Sequence, residues 1–178
     1  MLILPVSSAE KKLTYLLTNS GAFPRLDRFM IAVSDPYRWL LPTLGIAMIL
    51  IYMDWQSSLR ALTLGGAGSA IADAINTRLL KKNTDRIRPG KQYADIRSLG
   101  IMNRGKKSFP SNHASNTMAF AVGLSLIFPW ISWIAIPLSI LVGFSRIYCG
   151  AHFPLDVVAG WLHGALWVLL ISQLFLPI

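Results

Sequence analysis

Charged residues are scarce in this sequence, and the scarcity excludes whole classes of protein. Only 14% of the 178 residues are charged, whereas a soluble domain carries about 25%, so a soluble globular protein is excluded. The single cysteine, Cys149, excludes an internal disulfide. The length suits one domain and is too short for two sizeable ones. With 53% hydrophobic residues and a mean hydropathy of +0.49, the composition predicts a polytopic membrane protein.

Acidic residues are also few, and the basic residues that outnumber them are concentrated in one place. The chain has 8 acidic against 17 basic residues. Nine of the basic residues lie between Lys81 and Lys107, a stretch that contains only two acids, Asp85 and Asp95. A compact basic loop between membrane helices favours lipid head groups or phosphate as partners, and no nucleic acid partner is expected.

Long apolar runs account for most of the chain. A membrane-spanning helix needs about 20 mostly apolar residues. The runs that approach this length are Trp39–Trp55, Leu59–Leu80, Ala114–Phe128, Trp130–Phe144 and Pro154–Leu176. They predict an all-α helix bundle with about five transmembrane helices. Glycine and serine in the second run suit close helix packing.

The N-terminal segment, residues 1–35, is less apolar than the rest. Met1–Ser8 lacks the basic flank and the length of a signal peptide, so no cleaved leader is expected. Charges such as Lys11 and Asp27 interrupt the hydrophobicity, which predicts helices lying at the membrane interface. A sixth span in this segment is the alternative. The whole chain, residues 1–178, is interpreted as a single membrane domain.

Five spans bring the unusual polar clusters to one membrane face. The second run ends where the basic loop of residues 81–110 begins, and the third run begins where this loop ends. The fourth and fifth runs are joined by Ser145–Asp156. Because consecutive spans alternate in direction, this junction returns to the same face as the loop. Ionisable residues beside apolar spans are costly and usually functional.

Three cations at that face, Lys81, Arg88 and Arg146, match the chemistry of phosphate. The planar fork of arginine fits two phosphate oxygens, and lysine adds a point charge. Ser111 follows Pro110 and precedes an apolar run, which predicts a helix N-terminus with Ser111 near the cap. Free backbone N–H groups at such a terminus bind anions.

Two histidines and one aspartate complete the set. His152 and Asp156 are four residues apart, a spacing that lets the carboxylate accept a hydrogen bond from one ring nitrogen and leaves the other nitrogen as a nucleophile. His113 remains to supply a proton to the leaving oxygen. The set predicts phosphoryl transfer with no metal. A zinc site formed by the same three residues is an alternative, disfavoured because three cations would repel the metal.

These clusters resemble the signature of the type 2 phosphatidic acid phosphatase family, which reads K-x6-R-P, P-S-G-H and S-R-x5-H-x3-D. Here they stand as Lys81…Arg88-Pro89, Pro110-Ser111-Asn112-His113 and Ser145-Arg146…His152…Asp156. The resemblance covers about residues 35–178. The sequence departs from the pattern at Asn112, where glycine is common, and the larger side chain is expected to alter access of the head group.

The resemblance implies a role for each matched residue. The expected phosphate ligands are Lys81, Arg88, Ser111, Asn112 and Arg146. His152 is expected to attack phosphorus and form a phosphohistidine, Asp156 to orient it, and His113 to protonate the leaving group. No cofactor is expected. The implied substrates are undecaprenyl diphosphate, lipid A 1-phosphate, phosphatidylglycerol phosphate or phosphatidic acid.

Several alternatives stay open at this point. A membrane bundle that binds anionic lipid or forms a channel without catalysis would carry the same basic loop. The oligomeric state is open. The positive-inside rule would put the loop in the cytoplasm, whereas the resemblance puts the active face outside the bacterial inner membrane, which we expect. Asp73 is predicted to make a contact between helices, and His163 to bond to a neighbouring helix.

Overall fold

The computed structural model describes residues 3–100 and 105–175, and nearly all regular structure in them is helical. The helices are, in chain order, α1 (Ser8–Asn19), α2 (Pro24–Ser34), α3 (Pro36–Met53), α4 (Trp55–Ile75), α5 (Lys81–Asn83), α6 (Pro89–Gln92), α7 (Asn112–Ile127), α8 (Ser132–Tyr148) and α9 (Pro154–Phe175). A π-helical segment, Asn76–Leu80, prolongs α4, and a 3-10 turn, Pro129–Ile131, precedes α8. The predicted all-α bundle is confirmed.

The helices begin at residues suited to helix N-termini. Asp54 caps α4 by accepting a hydrogen bond from the N–H of Ser57 at 3.1 Å. Ser111 caps α7, as predicted, and accepts from Ala114 N at 3.4 Å. Pro154 occupies the first turn of α9, where its missing N–H and fixed φ cost nothing.

Within the described residues, three segments are long and apolar enough to cross a membrane by length and composition: Pro36–Met53, Pro129–Tyr148 and Pro154–Leu174. The other two predicted spans form helices but do not meet the same standard. Helix α7 has 16 residues, and α4 is rich in glycine, alanine and serine. The protein is therefore a membrane protein with several candidate spans, and the count of five stays a prediction.

Helix α3 shows most directly which surfaces are apolar and exposed. Among its side chains only Leu50 is buried, while Leu41 is 78% and Tyr52 is 92% exposed. A continuous apolar surface of this kind is rare on soluble monomers. The contact partner that suits it is the hydrocarbon of a bilayer.

The centre of the bundle is formed by α4, α7 and α9, which pack against one another most extensively. Small residues let these backbones approach closely. A Cβ atom added at Gly123 of α7 would lie 2.6 Å from the backbone N of Gly65 in α4, and Gly164 of α9 packs directly on the Ser115 carbonyl of α7. Of the glycines in the second predicted run, Gly65 and Gly68 pack closely against Phe120 and Val168, as predicted, whereas Gly66 faces open space.

The N-terminal helices α1 and α2 lie against the loop face of the bundle. Asn19 at the end of α1 donates to the Asp95 carbonyl at 3.0 Å, and Tyr148 at the end of α8 donates to Asp27 of α2 at 2.6 Å. Helix α1 buries polar side chains against the protein, while Leu13 and Leu16 remain about half exposed. This arrangement agrees with a helix at the lipid boundary.

Candidate active site

The structure gathers the sequence-predicted residues at one end of the bundle. From the loop region, Lys81 begins α5 and Arg88 immediately precedes α6. The start of α7 carries Ser111, Asn112 and His113. Arg146 lies in the last turn of α8, His152 in the turn between α8 and α9, and Asp156 in the first turn of α9. The prediction that these elements meet at one face is therefore confirmed.

A sharp turn after α8 positions His152. Gly150 has φ of +69°, a left-handed conformation that glycine adopts without strain. The turn is closed by hydrogen bonds from the N–H groups of Ala151 and His152 to the Arg146 carbonyl, at 3.0 and 3.2 Å. The candidate nucleophile and a candidate phosphate ligand are thus tied to each other through the backbone.

Arg88 is the closest cation to His152. Its Nη1 lies 3.1 Å from His152 Nε2 and also donates to the Ala151 carbonyl at 3.2 Å, while its Nε donates to the Gly105 carbonyl at 3.1 Å. Arginine can only donate, so Nε2 of His152 is the acceptor and the ring hydrogen is assigned to Nδ1. That tautomer leaves the lone pair of Nε2 facing the cations.

Asp156 lies beside the other ring nitrogen, but the predicted hydrogen bond is not formed. The distance from His152 Nδ1 to Asp156 Oδ2 is 3.7 Å, which is beyond hydrogen-bonding distance. Oδ2 instead accepts the N–H of Phe153 at 2.9 Å. This local contact caps the first turn of α9 and keeps the carboxylate slightly withdrawn from the imidazole. Catalytic contacts are often longer in the absence of substrate.

The electrostatics favour a neutral imidazole at His152. Burial, followed by the charges of Arg88, Arg146 and Lys81, holds the pKa of His152 well below its ordinary value. Burial, with Arg88 as the next cause, lowers the pKa of the Lys81 ammonium to about 8. Burial and the nearby cations thus keep the imidazole of this candidate nucleophile unprotonated at neutral pH, and the like charges of the cations repel one another.

Arg146 is buried but has no acidic partner in the described part of the chain. Its Nη1 donates to Ser34 Oγ of α2 at 3.0 Å, and that hydroxyl lies 3.0 Å from Ser145 Oγ. Its Nε has no hydrogen-bond partner among the described residues. Ser34 is therefore a support of the pocket that the sequence motifs do not reveal.

Asn112, the departure from the family signature, is held by α4. Its Nδ2 donates to Asp73 Oδ1 at 2.6 Å and to Thr77 Oγ1 at 3.1 Å. Asn116, one turn further along α7, donates to the same carboxylate oxygen at 3.4 Å. Asp73 therefore makes the predicted contact between helices. Because the Asn112 amide is engaged by α4, its backbone N–H is the group left for an anion.

His113 borders a mostly apolar cavity of about 340 Å³ between α3, α7 and α8. Trp39, Phe120 and Leu138 are among its lining residues. His113 Nε2 is buried and has no hydrogen-bond partner within the described residues. Lys81, Arg88, Arg146 and His152 all interact electrostatically with this imidazole. His113 therefore lies between an apolar cavity suited to hydrocarbon and the cationic pocket, the name used here for the space around Lys81, Arg88 and Arg146.

Two charged residues at the site were not predicted from the sequence. Arg86 belongs to the basic stretch Lys81–Lys107 but is not one of the matched signature residues. It is buried and pairs with two acids: its Nη2 lies 2.5 Å from Glu10 Oε2, and its Nε lies 3.2 Å from Asp156 Oδ1. Glu10 also accepts the N–H of Leu155 at 3.2 Å. For Glu10 the one available signal in the sequence is Ser7, three residues earlier. This spacing suggests a capping box, in which the glutamate side chain would bond to the Ser7 backbone N–H and not to Arg86.

The structure also bears on His163 and on the alternative zinc site. Among the described residues His163 bonds within its own helix and not to a neighbouring one: its Nε2 accepts from Trp167 Nε1 at 2.8 Å in α9, so that prediction was wrong. In the described residues no group of three His, Cys, Asp or Glu side chains is arranged to hold a metal ion. Asp156 and the two site histidines thus lack the arrangement that the alternative zinc site would need.

Comparison with known sequences gives consistent matches. A sequence model described as the PAP2 superfamily matches residues 61–177. An undecaprenyl-diphosphatase of Sulfolobus acidocaldarius is 47% identical over 66 residues, covering 36% of this chain and 32% of that protein. A lipid A 4'-phosphatase of Porphyromonas gingivalis is 28% identical over 82% of this chain and 64% of its own length. The chain therefore spans less than two thirds of either relative.

Solved structures match over almost the whole chain. Aquifex aeolicus LpxE superposes with a TM-score of 0.72 at 22% identity, covering 97% of this chain and 99% of that one. The transmembrane PAP2 type phosphatidylglycerolphosphate phosphatase from Bacillus subtilis superposes with a TM-score of 0.66 at 23% identity, covering 97% and 89% of the two chains. At these identities the structures have the fold in common.

Proposed function

The chain belongs to the PAP2 superfamily, and on that premise we propose that it is an integral membrane lipid phosphatase. The substrate is a phosphate or diphosphate carried by a membrane lipid, and the reaction needs no metal. The observation that carries the proposal is that Lys81, Arg88 and Arg146, none with an acidic partner among the described residues, surround the neutral imidazole of His152. Preorganised cations of this kind stabilise a phosphoryl group during transfer.

The first step is attack of His152 on phosphorus. In the free protein the Nε2 lone pair accepts a hydrogen bond from Arg88. When a phosphate enters, Arg88 exchanges this contact for phosphate oxygens and releases the lone pair. A bond forms between Nε2 and phosphorus while the bond from phosphorus to the lipid oxygen breaks. The imidazole gains positive charge, which the carboxylate of Asp156 stabilises.

The second requirement is a proton for the leaving oxygen. We assign the role of proton donor to His113, because its Nε2, which has no partner among the described residues, lies between the cations and the apolar cavity. A bound phosphate offsets the surrounding positive charge and so favours the protonated imidazole. His113 then accepts a proton from water, which attacks the phosphohistidine and releases inorganic phosphate. Ser111 and the backbone N–H of Asn112 assist as anion ligands at the α7 N-terminus.

The cavity supports a lipid as the substrate. It is lined mainly by apolar side chains and reaches His113, so a hydrocarbon chain can lie there while the head group meets the cations. The names of the two curated relatives refer to lipid A and to undecaprenyl diphosphate. The candidate substrates remain undecaprenyl diphosphate, lipid A 1-phosphate, phosphatidylglycerol phosphate and phosphatidic acid.

The proposed membrane arrangement has five spans, α3, α4, α7, α8 and α9, in the inner membrane of a bacterium. The active face points to the periplasm or the outside, and α1 and α2 lie on that face. The exposed apolar surface of α3 and the contacts of α1 and α2 with the loop support this arrangement. Residues 1–178 then act as one domain, with residues 81–110 as its active-site loop.

The test is release of phosphate by the purified protein in detergent with EDTA. Wild type is expected to release phosphate from a lipid phosphate monoester and, when quenched in alkali, to retain an acid-labile label from radioactive substrate. His152→Ala should do neither, whereas the matched control His163→Ala, whose ring bonds only to Trp167 among the described residues, should do both. Binding of anionic lipid without phosphate release would support the non-catalytic bundle, and release that EDTA abolishes would refute the metal-free reaction.

A further inference from the structure

Three charged side chains are buried together next to the candidate nucleophile. Glu10 is 7% exposed, Arg86 4% and Asp156 fully buried. They come from α1, from the loop before α6 and from the first turn of α9. Burying three charges is costly unless geometry and hydrogen bonds compensate. Stability alone does not require such an arrangement, because well-packed apolar residues of similar size often make a protein equally stable.

We propose that Glu10 and Arg86 are positioning residues, which hold Asp156 and through it His152 in the geometry needed for attack on phosphorus. This inference rests on the proposed phosphatase reaction. In the part of the chain that the structure describes, the side chains of Glu10 and Arg86 bond to each other, to Asp156 and to the Leu155 N–H, and not to Lys81, Arg88 or Arg146. We therefore do not count them among the phosphate ligands. They form a chain of contacts, called here the Glu10–Arg86–Asp156 bridge.

The guanidinium of Arg86 uses different atoms for its two acids. Nη2 meets Glu10 and Nε meets Oδ1 of Asp156. Oδ2 of Asp156 is thereby left for the Phe153 N–H and the imidazole of His152. The guanidinium also lies 4.8 Å from the centre of the Phe153 ring, a contact that restricts its plane. Asp156 is thus held in one rotation, with Oδ2 on the side of the His152 imidazole and 3.7 Å from its Nδ1.

Glu10 fixes the same turn from the opposite side. Its Oε1 accepts the N–H of Leu155, one of the free donors of the α9 N-terminus. The N–H groups on both sides of Pro154, from Phe153 and Leu155, therefore bond to carboxylates of the bridge. Because Glu10 belongs to α1, the interfacial helix sets the position of the turn that carries Asp156.

The charges of the bridge have a predictable effect on His152. Its imidazole faces Lys81 and Arg88 from the loop region, Arg146 from α8, His113 from α7 and Asp156 from α9, with Arg86 behind Asp156. Attack on phosphorus adds positive charge to this ring. The positive charge of Arg86 disfavours this added charge, and the negative charge of Glu10 offsets that of Arg86. The negative charge of Asp156 therefore remains available to stabilise the ring of His152.

The experiment compares Glu10→Gln and Arg86→Met with wild type on one lipid phosphate, measuring kcat, KM and the pH dependence of kcat/KM. We expect kcat to fall about tenfold for Glu10→Gln and about a hundredfold for Arg86→Met, by analogy with metal sites, where loss of the partners that orient the ligands costs about 10- to 100-fold. KM should change little. Glu10→Gln makes the surroundings of His152 more positive and so favours the neutral ring. The fall of kcat/KM at acidic pH, called here the acidic limb, should therefore move to lower pH. Arg86→Met should move it to higher pH.

Matched controls come from the second ion pair that joins the N-terminal helices to the loop. Asp27 accepts from Arg97 Nη1 at 2.8 Å, and Asp27→Asn and Arg97→Met remove similar charges without touching Asp156. Both should keep the wild-type acidic limb. If Arg86→Met does not fold, Arg86→Lys, which retains the charge and loses the fork, should lower kcat without moving the limb.

The outcomes separate this inference from the proposed function. If wild type releases no phosphate, the proposed function itself fails. If wild type and both controls are active and folded Glu10→Gln keeps the wild-type kcat and acidic limb, the bridge is only structural and the inference is overturned. Opposite shifts of the limb in Glu10→Gln and Arg86→Met, absent from the controls, support it.

Discussion

Arg86 and Arg88 are two residues apart and both are buried, yet their surroundings are opposite. Arg86 lies against two carboxylates, one from α1 and one from α9. Arg88 contacts two backbone carbonyls and the imidazole of His152, and no carboxylate of the described chain lies within ion-pair distance of it. The same loop therefore carries one cation whose charge is already compensated and one whose charge is not.

The difference shows how to separate structural from ligand-binding cations in a basic loop. We call Arg86, Arg97 and Lys107 the paired set, because each contacts an acidic side chain. We call Lys81, Arg88 and Arg146 the unpaired set. A buried cation without an acid is unfavourable in the free protein, and a phosphate relieves that cost. The unpaired set should therefore govern phosphate chemistry, while the paired set should govern geometry and stability.

The largest expected effect tests whether the unpaired set surrounds a nucleophile and an acid. His152→Ala should be inactive on a lipid monoester, on a diphosphate and on a nitrophenyl phosphate, because no leaving group replaces a missing nucleophile. His113→Ala should be severely impaired on the lipid monoester, less on the diphosphate and least on the nitrophenyl ester, whose leaving group needs no proton. The measurement is the ratio of mutant to wild-type turnover in one detergent at one pH. Equal losses on all three substrates would argue that His113 binds phosphate instead.

The next effect compares the two sets directly. Arg88→Lys and Arg146→Lys should each lower turnover at least about tenfold, or about 1.4 kcal/mol, because two contacts to phosphate become one. Arg97→Lys, in the paired set, should change turnover less than about twofold, since partly exposed ion pairs contribute little. Initial rates on detergent-solubilised lipid phosphate give both numbers. Wild-type kinetics in folded Arg146→Lys would remove that residue from the phosphate ligands.

A smaller effect concerns the charge of Lys81. Burial and neighbouring cations lower its pKa to about 8, so above that pH the free protein loses a phosphate-binding charge and kcat/KM should fall. In Lys81→Arg, whose side chain stays charged, the fall should occur at higher pH. A bound phosphate favours the protonated amine, so kcat should fall at higher pH than kcat/KM in wild type. If both variants lose kcat/KM at the same pH, another group titrates.

The smallest effect concerns the residue that departs from the family signature. Asn112→Gly removes one hydrogen bond to Asp73 of α4 and one to Thr77 of the π-helical segment that prolongs it, and should lower stability by about 1–2 kcal/mol. The backbone N–H at this position remains, so turnover should fall less than about threefold. A thermal unfolding scan and a rate measurement in the same detergent check both. A folded variant with a hundredfold loss of turnover would mean that the Asn112 side chain itself binds phosphate.

Much of the fold could be predicted because hydrophobic runs with clear limits specify helices. The run predicted at Pro154–Leu176 forms α9, Pro154–Phe175, and the run from Ala114 begins two residues inside α7. The convergence of the site followed from topology alone, since alternating spans return the loop and the Ser145–Asp156 junction to one face. The catalytic roles of the matched residues stay predictions.

The rest depended on contacts that leave no pattern in the sequence. Glu10 and Arg86 come from distant segments, and neither the spacing nor the type of these residues distinguishes them from surface charges. The contact of Ser34 with Arg146 is hidden for the same reason. His163 was wrongly predicted to bond to another helix because Trp167, four residues later on the same helix face, satisfies it locally.

The position of Glu10 has a practical consequence for the design of shortened or tagged forms of the protein. The match to the superfamily begins at residue 61, so a truncation guided by that boundary would keep every signature residue and discard α1. Such a fragment would leave Arg86 with one acid instead of two and the Leu155 N–H without its acceptor. Affinity tags and fusion partners are therefore better joined where they do not displace α1, and an inactive fragment would say nothing against the signature residues.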